Sequence, residues 1–164
     1  MFNVSKTFYP VPGFYTMMTE MKTEMKTKTI IEKSFKHANI LRVAGNTGVM
    51  IVEATTSYIP IEEFKAIFNY IGDSIAKEPV TKLIFDKTKL TVFHQPSMEW
   101  YFVEWKEKMF DLGLKVHRKI LPADNVFKQS VKIGRDRIKQ IFPNGKYNEM
   151  DIQYADSIEE AIQK

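Results

Sequence analysis

Apolar and polar positions change rhythm along the chain. From Lys28, "KTIIEKS" and "NILRVAG" have the composition of short strands, and "GVMIVEATT" is a stronger strand pattern. Gly45-Asn46-Thr47-Gly48 separates the last two and predicts a hairpin turn. The period then lengthens. In "IPIEEFKAIFNYIGDSIAK", Ile61, Phe64, Ile67, Phe68, Ile71 and Ile75 share one helical face, with Pro60 at the start and Pro79 past the end. "VTKLIFD" is mostly apolar, as a strand covered on both faces is. "PSMEWYFVEWKEKMFDLGL" repeats apolar residues at Met98, Phe102, Trp105, Met109 and Leu112, predicting a helix opened by Pro96 and closed by Gly113. "KVHRKIL" reads as a strand. "ADNVFKQSVKIGRDRIKQIF" reads as a helix with Phe127, Val131, Ile138, Ile141 and Phe142 inward. After the turn "PNGKYN", "EMDIQYA" is a last strand and "DSIEEAIQK" a last helix, where Asp156 and Glu159 form a capping-box pattern.

Strands alternating with helices predict an α/β fold, a mixed or largely parallel sheet with about four helices against it. The first 27 residues differ. Pro10, Pro12 and Gly13 break regular structure, and "EMKTEMKT" is a four-residue repeat. Residues 1–27 therefore read as a mobile tail, and 28–164 as a single domain. Deleting 1–25 is expected to leave thermal stability unchanged.

Composition narrows the class. With 44% apolar and 27% charged residues over 164, the chain has the make-up of a folded domain. It has no cysteine, which removes disulfides, thiolate catalysis and thiolate metal sites. No apolar run reaches the ~20 residues of a membrane span, and the N-terminus lacks a secretory pattern, so a cytoplasmic location is expected. The net charge of +4 is unevenly spread. Lys115 to Lys139 holds eight basic residues against Asp124 and Asp136. Within it Lys128, Lys132, Arg135 and Lys139 form a stripe beside the apolar face of the third helix, a candidate surface for an anion or partner. No zinc, helix-turn-helix or RNP-type pattern accompanies the charge, so nucleic acid is not expected.

Candidate chemistry concentrates in "LIFDKTKLTVFHQPSMEW". Asp86, His94 and Ser97 supply the letters of a hydrolytic triad, but no Gly-x-Ser-x-Gly elbow or oxyanion loop surrounds the serine. His37, His94 and His117 stand apart, and "GNTGV" precedes a strand instead of a helix, so it cannot cradle phosphate. No catalytic residue, metal or cofactor is predicted. The stretch reads as a strand, its exit loop and a proline-started helix. His94, Ser97, Trp100 and Tyr101 form a candidate partner-binding loop there, with Trp100 and Tyr101 beside the buried face as an aromatic anchor or a cavity wall.

The chain from about Lys28 to Lys164 resembles the SpoIIAA-like branch of the STAS/SEC14 group. The resemblance is carried by "NILRVAGNTGVMIVEATT", "IPIEEFKAIFNYI", "KLIFDKTKLTVFHQPSMEWYFVEW", "HRKILPADNVFKQSV" and "MDIQYADSIEEAIQK". It implies a STAS-like sheet of four to five strands packed against helices, and a regulatory or binding role without catalysis. In sigma-regulating members a serine in an Asp-Ser-Ser-Gly loop at the start of a helix is phosphorylated, which controls docking to a kinase-like partner. Here His94, Gln95, Pro96 and Ser97 replace that run, and Pro96 falls near the modified position. The phospho-switch is therefore not carried over. Ser97 is read as a first-turn polar residue, with phosphorylation as the competing reading.

Two functional readings follow. The first is a non-enzymatic regulatory module that binds a protein partner at the 91–101 loop. The second is a SEC14-like binding protein for an apolar or anionic amphipathic ligand. A homodimer is compatible with either. A cavity of ~300 Å³ or more lined by Trp100, Phe102 and Phe127 would favour the second. An exposed aromatic loop over a filled core would favour the first.

Overall fold

A computed structural model of the protein describes residues 27–164. The tail expected at 1–27 and the deletion of 1–25 fall, but for Thr27, outside the described residues.

One six-stranded sheet follows chain order: β1 (Thr29–Ser34), β2 (Ala38–Val43), β3 (Asn46–Ala54), β4 (Lys82–Asp86), β5 (Val116–Ile120) and β6 (Asp151–Tyr154). β1, β2 and β3 pair antiparallel, and β3 through β6 pair parallel. The expectation of four to five strands is corrected to six. Both edge strands, β1 and β6, are largely exposed yet hydrogen-bond along one side, so pairing holds them where apolar burial does not.

The β2–β3 turn is Ala44-Gly45, two residues earlier than the predicted tetrapeptide. Gly45 has φ +77°, the left-handed backbone that a tight hairpin demands and glycine adopts without strain. Asn46 already pairs with Val43, and a register shift beside Arg42 absorbs the extra residues.

Five α-helices, one π-helical turn and a 3-10 turn (Lys146–Asn148) complete the described residues. The helices and the π turn are α1 (Ile61–Lys77), α2 (Gln95–Trp100), the π turn (Tyr101–Trp105), α3 (Lys106–Asp111), α4 (Asn125–Ile141) and α5 (Ile158–Gln163). α2, the π turn and α3 run on as one continuous helical segment. α1, α2–α3 and α4 connect successive parallel strands and cover the same face, as crossovers of one hand require. The main core lies under them, around Met50, Phe68, Ile71, Phe85, Phe102 and Ile138. α5 covers the opposite face, where Leu41, Ile51, Ile84, Ile120 and Ala161 pack.

Several helix boundaries differ from the sequence pattern. Leu112 is 46% exposed, because α3 ends at Asp111 and Gly113, at φ +103°, turns the chain away. Ile141 is 54% exposed at the last residue of α4, where the backbone of Phe142 leaves the helix. The last helix is capped one residue later than the Asp156/Glu159 pattern. Ser157 Oγ accepts from Glu160 N–H, and the Glu160 carboxylate accepts from Asp156 N–H.

Candidate functional site

Parallel strands direct their carboxyl ends and the loops that follow to one edge of the sheet, where such folds place binding sites. Three features meet at this edge: the loop between β4 and α2, a cluster of interior amines, and a basic groove along α4.

The loop begins with an Asx-type turn in which Asp86 Oδ1 accepts from Thr88 N–H at 2.9 Å. It ends at His94, the N-cap of α2, whose Nδ1 accepts from Ser97 N–H at 3.3 Å and lies 2.8 Å from Ser97 Oγ. Nδ1 is thus an acceptor, and the neutral ring carries its proton on Nε2. Pro96 occupies the first turn as predicted. Ser97 is buried, and Asp86 is turned to Thr88, not to His94. The triad letters therefore do not form a relay.

Tyr101 departs from its predicted place beside the buried face. It is only 2% exposed, so it is neither an exposed anchor nor free to dock a partner. The cause is the π turn. Lys106 N–H bonds to Tyr101 O across five residues, and this wider turn brings Tyr101, Phe102, Trp105 and Lys106 inward together. Trp100 is half-buried, its ring edge-on to Phe64 at 6.1 Å.

Beneath the π turn lies a polar cluster that sequence reasoning missed. His117 Nδ1–H donates to Leu83 O at 3.0 Å, so its Nε2 accepts the Tyr101 hydroxyl proton at 2.8 Å. Burial first, then the charges of Lys106 and Lys119, hold this ring well below the ordinary histidine range. Burial likewise pushes the Tyr101 phenol well up. Lys119 points to the same face of β5 as His117, two residues on. The Nζ atoms of Lys106 and Lys119 stand 3.7 and 4.6 Å from the Phe102 ring centroid. Both Nζ atoms are buried without a hydrogen-bond partner among the described residues. Burial, then mutual repulsion with Lys87 and Arg135, lowers both amines well below the usual lysine value.

The signal for this cluster was present but diluted. In "KVHRKIL" three consecutive polar residues interrupt a strand that the parallel order makes central, so all three become buried. Lys106 falls four residues after Phe102, on the same face. The third of the strand residues, Arg118, points to the α5 side and is structural. Its guanidinium donates to Asp151 Oδ2, Asp151 O and Lys164 O, each at 2.7 Å. That contact lowers the Asp151 carboxyl.

Beside the cluster is a small cavity of about 60 Å³. Phe102 and Phe127 line it as expected, Trp100 does not, and it falls well short of the ~300 Å³ of a ligand cavity. Lys87, His94 and Ser97 are its polar wall.

The basic stripe opens onto a different space. Lys128, Lys132, Arg135 and Lys139 all line one groove of about 760 Å³, whose floor is Ile120, Leu121, Ala123 and Tyr154. Lys128, Lys132 and Lys139 are exposed, while Arg135 is half-buried and donates to the Tyr154 hydroxyl at 2.8 Å. The groove lies where α4 passes the carboxyl ends of β5 and β6. Among the described residues, no three His, Asp or Glu side chains gather to hold a metal ion. No described helix is long and apolar enough to cross a membrane.

The chain matches no family model, no curated protein and no solved structure.

Proposed function

We propose that this protein is a non-enzymatic binding module of STAS/SEC14-like type, which takes an anionic amphipathic ligand in the basic groove along α4. The groove carries this reading. Its volume of about 760 Å³ lies within the ~300–1,000 Å³ of small-molecule sites. Its lining holds four cationic side chains against Asp136 and Asp156, a net positive charge, beside apolar Ile120, Leu121 and Ala123, so one space suits both halves of an amphiphile. The groove also stands at the strand ends, where this kind of sheet leaves room for ligands.

The test reverses the charge at Lys132 and Arg135 together. The Lys132→Glu/Arg135→Glu variant is expected to fold, because an exposed charge contributes only ~0–1 kcal/mol and half-buried Arg135 gives up a single hydrogen bond, to the Tyr154 hydroxyl. Sedimentation with anionic and neutral lipid vesicles, and titration with a soluble lysophospholipid, should show binding by the wild type alone. That affinity should fall as salt rises. Binding that survives both charge reversal and high salt sinks the reading.

The regulatory, partner-binding reading is supported by a different observation. Val126, Ile133 and Ile141 are exposed apolar residues on α4. A protein partner seated on that helix would bury them, and Ile133→Glu would then abolish partner capture while leaving lysophospholipid binding intact.

A further inference from the structure

The three interior amines are not explained by the groove. Among the described residues Lys87, Lys106 and Lys119 form no salt bridge, and the Nζ atoms of Lys106 and Lys119 lack any hydrogen-bond partner. An amine taken from water without a partner costs stability. Packing would favour an aliphatic side chain at each of these positions unless something supplied the missing negative charge.

Lys87 is the member with access. Part of its side chain reaches the surface, its ammonium end is closely surrounded by protein, and Nζ stands 4.7 Å from the Phe85 ring centroid. Lys87 and Phe85 are both walls of the 60 Å³ cavity. Facing them are His94, whose Nε2 carries the ring proton, and apolar walls from Phe64, Leu90, Met98 and Phe127. The charged groups set around Lys87 are mostly cationic, Lys106, Lys119 and Arg135, and the neighbouring Asp86 carboxylate is turned to Thr88.

We infer that this cavity is a second binding site, one that takes a short-chain aliphatic carboxylate, with the carboxylate on Lys87 and the alkyl body against Phe64, Phe85 and Phe127. The charge follows from the amines, since an anion there would favour their protonated forms and offset their mutual repulsion. The size follows from the volume. At ~10–15 Å³ for each water-sized group, the cavity holds about four to six non-hydrogen atoms, the size of butyrate. The apolar body follows from the walls. A phosphate would leave most of its oxygens against phenyl rings, without donors. This site is independent of the groove, and either can stand without the other.

Calorimetric titration of the full chain with butyrate tests this, with butyramide as the uncharged control of the same shape. Butyrate should bind with a Kd of about 1 mM or tighter, and butyramide at least about tenfold more weakly. Lys87→Met, which keeps the stem and removes the charge, should weaken butyrate about tenfold or more. In the wild type, the side-chain NMR resonances of isotopically labelled Lys87 should shift on addition of butyrate, a readout that needs no variant. Three results overturn the proposal: no butyrate binding at about 10 mM, equal binding of butyrate and butyramide, or binding that Lys132→Glu in the groove abolishes and Lys87→Met does not.

Discussion

Trp105 shows how much a single side chain can carry. Its ring is 3% exposed, stacks on Tyr101 at 5.2 Å between centroids, and donates its indole N–H to Phe68 O at 2.7 Å. Removing the ring would leave a cavity in the main core and lose the hydrogen bond to Phe68 O. Trp105→Ala is therefore expected to cost about 3–5 kcal/mol, read from the midpoint of chemical denaturation. An unchanged midpoint would mean that the indole is not enclosed. Trp105 was legible in the sequence because it lies on the Met98–Phe102–Trp105–Met109 stripe. Tyr101 was not, because its burial depends on the π turn and on a hydroxyl partner, His117, sixteen residues away on another element.

Between elements, Gly134 sets how closely α4 approaches the start of α2. A methyl group there would lie 2.5 Å from Gln95 Oε1, 2.6 Å from Phe93 Cζ and 2.9 Å from Met98 Sδ. All three distances are shorter than atoms can pack. Alanine normally improves a helix over glycine by ~1 kcal/mol. At this position the gain is opposed by the shift that the side chains of Phe93, Gln95 and Met98 must make in the cavity wall, and overpacking typically costs ~1–3 kcal/mol. Gly134→Ala should lower the thermal midpoint, and a raised midpoint would show that α4 can move aside freely. The glycine could be read from the sequence, but its neighbour could not. Phe93 and Gln95 meet Gly134 only because two crossover helices lie side by side on the same face of the sheet.

At the scale of the molecule, the interior amines set how stability depends on pH. Burial first, and then Arg135, lowers Lys87 to about 8, and burial likewise lowers Lys106 and Lys119 well below the ordinary lysine value. A lysine whose folded value is depressed binds its proton less tightly in the native state than in the unfolded chain. The unfolded chain therefore holds more protons between the folded value and the ordinary lysine value of 10.5, and stability rises with pH across that window. The Tyr101 phenol acts in the opposite sense. Its value is raised by burial, so stability falls once the unfolded phenol ionises above its ordinary value of 10.0. In acid, His117 and Asp151, both lowered, also release stability as the unfolded chain takes up protons. Urea denaturation between about pH 7 and pH 10 should show maximal stability on the alkaline side, above the usual range of ~5–8. A flat or falling profile there would mean that the amines are solvated or paired.

The sequence by itself determined the order and type of the elements. Strand-like alternation and helical periodicity are local properties, set by which side chains each element must bury. It also placed Pro96 at a helix start, and Lys128, Lys132, Arg135 and Lys139 on one flank of α4. Only the tertiary structure decided what those positions mean. The chain-order sheet places β5 between β4 and β6, and that position makes His117, Arg118 and Lys119 interior. The π turn moves Lys106 inward beside them. The basic stripe becomes one wall of a groove because α4 crosses the ends of β5 and β6, a contact between residues distant in sequence. Burial of charge depends on such non-local packing, and no window along the chain contains it.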